Sequence, residues 1–331
     1  MVTIGSVAKQ AGVSIASVSR VINGTATRAE TERRVGAAII DLGYQPNSAA
    51  RALKVRKSEQ ICLSFDDFGN PAYVLMTRGV GHVLSSTKFR LILSSAFSSV
   101  EEIIKHLETM GRGFADGLII SPIYNDIRIA KLISELQIPV VLIGTLPKGL
   151  DVDNVSVDSA AGVDMAVEHL TATGRRQIAL INGPISTNPG IRRKAAFEKA
   201  LTNRGLTLSD DSVVQADSFS PEAGYWAISK IRSLKRFDAI ICGNDQLAAG
   251  AMKSCFEKGI KIPSDVALIG FDDIDLASLL RPTLTSVDLR AEERGEIAAN
   301  LMLDRLANPN RPSKQITVAP KLIIRESTGS Q

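Results

Sequence analysis

Four polar side chains near the start of the chain could make hydrogen bonds from the outer surface of one short helix. Residues 3–23 read TIGSVAKQAGVSIASVSRVIN, and their spacing predicts two helices joined by a tight turn at residues 12–14. Apolar side chains share one face of each helix: Val7, Ala8 and Ala11 in the first, and Val18, Val21 and Ile22 in the second. The polar side chains remain outside: Ser17, Ser19, Arg20 and Asn23. This pattern is a helix-turn-helix, whose second helix is shaped to enter a DNA major groove.

The distribution of charge agrees with a phosphate-binding N-terminal segment. The whole chain of 331 residues has a formal charge of only +4. Residues 1–58 hold nine basic and three acidic side chains, a charge of +6, whereas the remainder holds 30 basic and 32 acidic ones, a charge of −2. The basic excess therefore lies entirely in the first 58 residues, which predicts a DNA-binding headpiece followed by a nearly neutral body.

Two further elements must complete this headpiece. A third helix is predicted from about Glu30 to Leu42, with Gly43 ending it, and Thr27 is a candidate for its N-cap. The following segment, YQPNSAARALK, predicts a helix of about two turns, which is too short to be stable alone. We expect this segment to fold on contact with DNA or a partner chain. The alternative is a plain linker.

From residue 60 onward, apolar strand patterns alternate with helical patterns, and the scheme starts again near residue 178. This alternation predicts two α/β subdomains, each a parallel sheet covered by helices. Polar loops follow several of the strands, at residues 66–73, 121–122, 183–193, 244–245 and 272–273. Ligands of open α/β sheets bind at the carboxyl ends of the strands, so two facing subdomains predict a ligand cleft.

The sequence argues against two other classes of protein. A Rossmann-type enzyme would carry a glycine-rich turn after the first strand, but residues 65–70 read FDDFGN, and there is no G-x-S-x-G motif. A secreted solute-binding protein would carry a signal peptide, and no such pattern or membrane span is present. The cysteines lack metal-ligand spacing, and we expect them in the core. The histidines lie far apart in the sequence, and we expect them on helix faces. No metal or cofactor is therefore expected. We therefore expect a cytoplasmic protein that is not an enzyme.

Taken together, these features resemble the LacI/GalR family of bacterial transcriptional regulators. The resemblance covers nearly the whole chain and rests on VSIASVSRVING, LGYQPNSAARAL, the spacing of Arg193 and Phe197, GNDQLAAGAM and IGFDDIDLA, in that order. It implies a helix-turn-helix headpiece with a hinge helix, followed by a periplasmic-binding-protein-like body of two parallel-sheet subdomains. It also implies a homodimer on a palindromic, double-stranded operator, controlled by a small effector and associated with the bacterial nucleoid.

The DNA contacts can be assigned residue by residue. Ser14 is a candidate N-cap of the recognition helix. By the resemblance, Ile15 and Ala16 occupy positions that read base edges, where they can make only apolar contacts. Arg20 can form a bidentate pair with guanine, and its alternative is a phosphate contact. Three polar residues suit phosphates, with a solvated helix face as the alternative for the last two: Thr3, Ser17 and Asn23.

By the same resemblance, the hinge helices of two subunits pair in the minor groove. Leu53 then wedges between the central base pairs, while Asn47 and Ala50 line the groove. Unstacking is easiest at a pyrimidine–purine step, so a central CG is expected. The alternative for Leu53 is a buried linker contact. Two departures from the family pattern, Gly5-Ser6 in the first helix and a short loop at 24–28, affect expected phosphate contacts.

On the effector side, Arg193 and Asp272 match the family pair that brackets the polar groups of a ligand. Asn244 supplies an amide, and Phe219 and Tyr73 match aromatic positions of the pocket. Three residues of the first subdomain are expected in the same cleft: Phe68, Asn70 and Ser121. The alternatives are ordinary core for the aromatic residues and a structural ion pair for Arg193 and Asp272. A carbohydrate is the expected effector, and a nucleoside or purine is the alternative.

The predicted domains are the headpiece and hinge at 1–58, an N-terminal effector subdomain at 59–158 plus 288–318, and a C-terminal effector subdomain at 159–287 plus 319–331. The chain is expected to cross between the subdomains near residues 156–160, 286–289 and 318–321. Several crossings form a hinge, so effector binding is expected to close the cleft and to change the spacing of the paired hinge helices. The polar tail after Ile324 favours a dimer over a tetramer.

Overall fold

The structure is a computed structural model, which describes residues 2–45, 58–95, 99–111, 113–124, 126–231 and 234–329. The chain divides into two compact units, residues 1–58 and 59–331. The N-terminal unit contains three helices: α1 (Ile4–Ala11), α2 (Ile15–Ile22) and α3 (Ala29–Leu42). Its core joins all three helices and consists of small and β-branched side chains: Val7, Ala8, Ala11, Val18, Val35 and Ala38. The predicted helix-turn-helix is therefore present.

Local capping explains where these helices begin and end. Gly12 and Gly43 follow α1 and α3 with positive φ angles of 63° and 58°, a left-handed conformation that glycine adopts without steric cost. The prediction that Thr27 caps α3 is wrong. Arg28 occupies the N-cap position and makes no side-chain cap, while the Thr27 hydroxyl donates to the Glu32 carboxylate at 3.1 Å. Thr27 lies one residue too early to reach the free backbone N–H groups.

The C-terminal unit alternates strands and helices, as the sequence pattern predicts. In chain order its strands are β1 (Gln60–Phe65), β2 (Arg90–Ser95), β3 (Gly117–Ser121), β4 (Val140–Ile143), β5 (Asp153–Val157), β6 (Ile178–Asn182), β7 (Val213–Gln215), β8 (Ala239–Cys242), β9 (Ala267–Phe271), β10 (Thr285–Asp288), β11 (Gln315–Val318) and β12 (Lys321–Ile323). Its helices are α4 (Pro71–Leu84), α5 (Val100–Met110), α6 (Ile127–Glu135), α7 (Ser159–Ala172), α8 (Asn188–Asn203), α9 (Pro221–Lys230), α10 (Asp245–Glu257), α11 (Asp275–Leu279) and α12 (Ala291–Ala307).

These strands form two sheets. The first has the order β11-β5-β4-β3-β1-β2 and is parallel throughout. Helices α4 and α12 cover one of its faces, and α5 and α6 cover the other. We call this sheet with its helices lobe 1. The second sheet, β12-β10-β9-β8-β6-β7, is covered by α7 and α8 on one face and by α9, α10 and α11 on the other, and we call it lobe 2.

The chain passes between the lobes three times, after β5, after β10 and after β11. These passages lie at the positions that the sequence pattern indicated. One strand departs from the expected parallel arrangement, because β12 pairs antiparallel with β10, with Val287 opposite Leu322. Strand β11 belongs to lobe 1 and β12 to lobe 2. The connection between them is too short for a helix that would carry the chain back to the other end of the lobe 2 sheet, so β12 enters that sheet in the opposite direction.

The core residues agree with the roles assigned from sequence. The three cysteines are buried and unpaired in the apolar cores: Cys62, Cys242 and Cys255. His169 is buried and its Nε2 lies 2.9 Å from the Thr328 hydroxyl. Within the described ranges, no group of side chains is arranged to hold a metal ion. Over the same ranges, no helix combines the length and apolar character that crossing a membrane requires.

Candidate functional site

The exposed surface of α2 carries the predicted base-reading residues. Ile15 is 51% exposed, and Ala16 and Arg20 are also exposed. Because Val18 is fully buried against α1 and α3, the helix is fixed with its other face outward. An exposed isoleucine and an exposed arginine at the first turn and the last turn are suited to contact a thymine methyl group and a guanine edge.

The other polar residues of this segment take part in capping. Thr3 forms a capping box with Ser6, and the Ser14 hydroxyl accepts from the Ser17 backbone N–H at 3.1 Å, as predicted for an N-cap. The Ser17 hydroxyl lies 3.0 Å from that of Ser14. Asn23 donates from its amide to the Ser19 carbonyl at 2.7 Å, which closes the end of α2. A phosphate contact by Thr3, Ser17 or Asn23 stays a prediction, and it would compete with these local bonds.

The predicted minor-groove residues cannot be placed. Asn47, Ala50 and Leu53 lie outside the described residues. Their roles stay predictions from the sequence.

A cavity of about 1000 Å³ lies between the two lobes, at the carboxyl ends of the strands. Seven of the eight residues predicted for effector binding line it, and they come from both lobes: Asn70, Tyr73, Ser121, Arg193, Phe219, Asn244 and Asp272. The eighth, Phe68, is not among the lining residues. It is 53% exposed and packs edge-on against Phe65, with 5.1 Å between ring centroids. The loop after β1 turns Phe68 away from the cavity.

Arg193 and Asp272 lie at the inner wall of the cavity, and both are buried. The nearest Arg193 nitrogen is 3.9 Å from an Asp272 carboxylate oxygen, and Arg193 also donates to the Gly243 carbonyl oxygen. The guanidinium lies 5.0 Å from the centroid of the Phe271 ring. Burial lowers the pKa of Arg193 and raises that of Asp272, while each residue's charge opposes the shift of the other. The Arg193 Nε is buried without a hydrogen-bond partner, so a ligand that offers hydrogen bonds to both groups would satisfy them better than this 3.9 Å pair does.

The backbone at Asp272 holds its carboxylate in an unusual position. Its φ angle is +99°, in a region that side chains other than glycine rarely adopt. The Asp272 N–H donates to the Val287 carbonyl at 2.9 Å, which anchors the turn to strand β10. Non-glycine residues held in such conformations cluster at functional sites, because the surrounding structure must support the strain.

Two of the lining asparagines, Asn70 and Asn244, cap helices. Asn70 accepts from the Ala72 N–H at 3.1 Å and begins α4. Asn244 accepts from the Leu247 N–H at 2.8 Å, begins α10 and donates to the Phe219 carbonyl at 3.1 Å. Phe219 packs its ring against Gly183, where an added Cβ would overlap the ring. Each of these two asparagine oxygens keeps a second acceptor site, and each amide group keeps at least one N–H donor for a ligand.

Asp66 is a cavity residue that our sequence interpretation did not select. It is 8% exposed and accepts a hydrogen bond from the Tyr73 hydroxyl at 3.3 Å. Burial raises the pKa of Asp66 from its ordinary 3.8 to about 7, and the bond from Tyr73 opposes this shift only in part. The Tyr73 ring stacks on Phe65 with 4.6 Å between centroids, which fixes the pair. Because Asp66 directly follows β1, its position at a strand end was the signal.

Arg294 is the second cavity residue that we missed. It lies in the first turns of α12, one residue before Gly295, and is 9% exposed. Its neighbours on the same helix face are small and apolar: Ala291, Gly295, Ala298, Ala299 and Met302. An arginine that interrupts such a stripe was the available signal, because a charged residue seldom lies on a buried helix face without a partner.

Polar contacts join the lobes on two rims of the cleft. On one rim, Gln246 donates to the Gly69 carbonyl at 3.2 Å. On the other, the Asn188 N–H donates to the Ile123 carbonyl at 2.7 Å and Arg192 donates to the Thr145 hydroxyl at 3.2 Å. These contacts are few and partly exposed, so opening the cleft requires breaking only a small number of modest bonds.

Comparisons with known proteins agree with both parts of the chain. Residues 3–47 match the family described as "Bacterial regulatory proteins, lacI family", and residues 167–328 match a "Periplasmic binding protein-like domain". The HTH-type transcriptional repressor PurR of Erwinia tasmaniensis is 37% identical over 331 residues, which cover 99% of this chain and 97% of the relative. The PurR repressor of Salmonella typhi is 35% identical with the same coverage.

Solved structures show the same architecture. The transcriptional regulator CelR–cellobiose complex has a TM-score of 0.74 and 29% identity, covering 99% of this chain and all of that one. The lac repressor dimer bound to operator and the anti-inducer ONPF has a TM-score of 0.88 at 24% identity, covering 99% of both chains, and supports the fold.

These relatives are transcriptional regulators and not enzymes, and they match the chain over its whole length. Their headpiece family corresponds to the helix-turn-helix of α1 and α2. The chain therefore belongs to the LacI family of bacterial regulatory proteins and is a DNA-binding transcriptional repressor whose family binds operator DNA and small effectors.

Proposed function

We propose that this repressor acts as a homodimer on a palindromic operator with a central CG step, and that a small polar molecule between the lobes controls its affinity for DNA. The observation that carries the proposal is the cavity, because seven residues selected from sequence come together in it from both lobes. A site shared by two lobes can couple ligand binding to their relative motion.

We propose that the ligand contacts Arg193 and Asp272 in lobe 2 and the Asn70–Tyr73 turn in lobe 1. The guanidinium and the carboxylate together suit a pair of neighbouring hydroxyl groups, one accepting and one donating. A carbohydrate is therefore the first candidate class. The similarity to a transcriptional regulator whose structure was solved as a cellobiose complex supports it. A nucleoside or purine is the second candidate, because a purine edge offers the same donor and acceptor pair beside Phe219.

We propose that the effector favours one arrangement of the lobes and so changes operator affinity. The contacts between Gln246 and Gly69 and between Arg192 and Thr145 are candidates for bonds that form or break with the effector. A ligand shifts such an equilibrium only by its difference in affinity for the two arrangements. Transmission through the predicted hinge helix, with Leu53 in the minor groove, remains part of the proposal.

On the DNA side, we propose that Arg20 reads a guanine and that Ile15 and Ala16 make apolar base contacts. Three polar residues are proposed to position the helix on phosphates: Thr3, Ser17 and Asn23. The exposure of Ile15, Ala16 and Arg20 on one helix supports this assignment.

The two effector subdomains are proposed to consist of residues 59–158 plus 288–318 and residues 159–287 plus 319–331. Repression takes place at the chromosome, so the proposed location is the bacterial cytoplasm.

The first experiment is selection of random-sequence DNA by the purified full chain at physiological salt. We expect enrichment of a palindrome with a central CG step. Enrichment of a single half-site would contradict the homodimer, and no enrichment, with or without a metabolite mixture, would contradict the operator proposal. A steep loss of affinity with rising salt is also expected, since Lys and Arg contacts to phosphates release counterions.

The selected operator then provides a probe for the effector. Release or tightening of the operator by sugars, compared with nucleosides and purines, distinguishes the two candidate classes. The matched control for every compound is Arg193→Ala, which should leave operator affinity nearly unchanged and lose the response.

A further inference from the structure

Four ionisable residues of the cavity wall are buried, and their positive charges outnumber their negative charges when Asp66 is protonated. These are Asp66, Asp272, Arg193 and Arg294, each less than 10% exposed. The other charged lining residues, such as Arg192, Asp67 and Glu102, are exposed at the rim. Burial raises the pKa of Asp66 to about 7, so this carboxyl group is protonated in a large part of the molecules at neutral pH. Asp272 then faces two guanidinium groups.

Arg294 is the less satisfied of the two arginines. Arg193 donates to the Gly243 carbonyl and stands beside Asp272. Within the described ranges, the Arg294 side chain donates no hydrogen bond and has no carboxylate within 4.0 Å, and its Nε is fully buried without a partner. A buried guanidinium without partners is costly, because all five of its N–H donors have lost water or face the cavity.

The surroundings of Arg294 do not supply the missing partner. The carboxylates whose charges act on it are Asp272 and Asp288, and the Tyr73 hydroxyl and Arg193 also face it. Asp288 is already engaged by Arg290. The Arg290 Nε lies 3.5 Å from the Asp288 carboxylate, and the Arg290 backbone N–H donates to that carboxylate at 2.6 Å. Asp272 is shared with Arg193.

The position of Arg294 is fixed by the packing of its helix. Helices α4 and α12 meet at backbone contact through Gly79 and Gly295. An added Cβ on Gly79 would overlap the Glu292 carbonyl oxygen, and one on Gly295 would overlap the Met76 carbonyl oxygen. Arg294 precedes Gly295 directly, so its backbone cannot move away from the cavity without separating the two helices. A guanidinium that is held in place and unpaired is a preorganised anion site.

We propose that the effector of this repressor carries an oxyanion, a carboxylate or a phosphate, which binds to the Arg294 guanidinium. The inference rests on the proposal that the cavity is the effector site and narrows its ligand class. Since Arg294 belongs to lobe 1 and Arg193 belongs to lobe 2, one ligand that holds both arginines joins the lobes. Its uncharged part then faces Asp272 and Tyr73.

The test uses the full-length protein without DNA, so it does not depend on the operator proposal. Inorganic phosphate and acetate are titrated at constant ionic strength by calorimetry and by thermal unfolding. The variants are Arg294→Met, Arg294→Lys and the control Arg128→Met. The Arg128 side chain is exposed in lobe 1, pairs with Asp126 at 2.8 Å and is not among the cavity-lining residues. The headpiece is identical in all of them, so any anion binding there cancels.

We expect at least one of the two anions to bind the wild type and the control equally. In Arg294→Met its affinity should fall about ten- to hundredfold, with a smaller loss in Arg294→Lys, since charge-assisted hydrogen bonds have this value. A preference for phosphate indicates a phosphate ester, and a preference for acetate indicates a carboxylate. Absence of saturable binding to the wild type, or equal binding to Arg294→Met, would overturn the proposal.

A second readout separates ligand binding from a purely structural role. If Arg294 serves a ligand, the ligand-free Arg294→Met variant should unfold at the same temperature as the wild type or a higher one. Replacing an unpaired buried charge by an apolar side chain of similar length removes a cost. A lower unfolding temperature without ligand would indicate that Arg294 stabilises the fold, and would count against the proposal.

Discussion

Arg20 is the residue on which sequence-specific binding is proposed to depend. We expect Arg20→Ala to relax base preference at one position in each half-site by about 1–3 kcal/mol, because a bidentate arginine–guanine pair discriminates by this amount. The measurement is repeated selection of random DNA with the variant. Arg33→Ala is the matched control, since Arg33 is exposed on α3 and pairs with Glu30 at 2.8 Å. Uniform weakening over all sequences with a shallower salt dependence would identify Arg20 as a phosphate contact instead.

Asp66 should make the stability of the protein depend on pH. Its pKa in the folded protein is raised by burial from 3.8 to about 7, so ionisation above pH 4 disfavours the folded state progressively, and the effect levels off above pH 7. Asp66→Asn cannot ionise. Its free energy of unfolding should therefore increase relative to that of the wild type between pH 4 and pH 8, by at most about 4 kcal/mol. Urea unfolding at several pH values tests this, and a constant difference would contradict it.

At this scale, sequence reasoning placed seven of its eight predicted effector-binding residues in the cavity but did not select Asp66 and Arg294. The predicted residues follow strand ends or match family motifs, and both signals are local. Arg294 acquires its place from the contact of α12 with α4, about 210 residues earlier in the chain. Phe68 lies outside the cavity lining, in a five-residue turn where it packs against Phe65, and its contact with an effector stays a prediction.

Among the elements, the helix pair α4 and α12 depends on glycine at the contact. We expect Gly79→Ala to lower the free energy of unfolding by about 1–3 kcal/mol, because its Cβ would overlap the backbone of Glu292. Gly81→Ala lies on the same helix, and its Cβ would be 4.0 Å from the nearest atom, in Leu91. This control should be stabilising by up to about 1 kcal/mol, since alanine favours helix. Denaturant unfolding of both variants measures these changes. Equal losses in the free energy of unfolding for Gly79→Ala and Gly81→Ala would contradict a specific role for the close contact at Gly79.

The apolar runs of the sequence mark eight of the described strands, β1–β4 and β6–β9, and leave out β5, β10, β11 and β12. Strand β11 is exposed along most of its length and lies at a sheet edge, as does β12, so neither has the apolar run that marks a buried strand.

Strand β5 is mostly buried but begins with the charged residue Asp153, which interrupts the apolar pattern. Burial raises the pKa of Asp153, but hydrogen bonds from Arg305 and Arg311 at 2.9 and 2.8 Å outweigh this and lower it. Partners so distant in sequence could not be anticipated.

At the scale of the whole molecule, two exposed aromatic residues of lobe 2 indicate where a second copy could bind. Trp226 on α9 is 62% exposed and Phe256 on α10 is 83% exposed. The two helices pack at backbone contact through Gly224 and Gly250, which fixes the positions of the helices that carry these side chains. We expect Trp226→Glu with Phe256→Glu to convert a dimer into a monomer in sedimentation experiments and to weaken operator binding, because the two half-sites are then bound independently.

The control for this experiment is Ile127→Glu, which changes a 76% exposed isoleucine of lobe 1. It should leave the oligomeric state unchanged. A double variant that remains a dimer would contradict the proposed surface.

The coupling between effector and operator is also a property of the whole molecule. We expect Arg193→Ala to abolish the response to the effector while operator affinity without effector stays nearly constant. The reason is that the hydrogen bond, the ion pair and the ring contact of Arg193 are made with groups of lobe 2, at Gly243, Asp272 and Phe271. Operator titrations with and without effector measure both quantities. Loss of DNA binding with an intact response would place the effector site elsewhere.

The three passages of the chain between the lobes have a consequence for biosynthesis. Strand β11 completes the sheet of lobe 1, and β12, three residues later, joins that of lobe 2. During translation, neither sheet can acquire its last strand until residues 315–323 have left the ribosome. A chain interrupted before this point would be defective in both lobes at once, although its headpiece had long been synthesised. Purified chains that end before residue 315 and chains that end after residue 323 should therefore differ sharply in the protease resistance of both lobes.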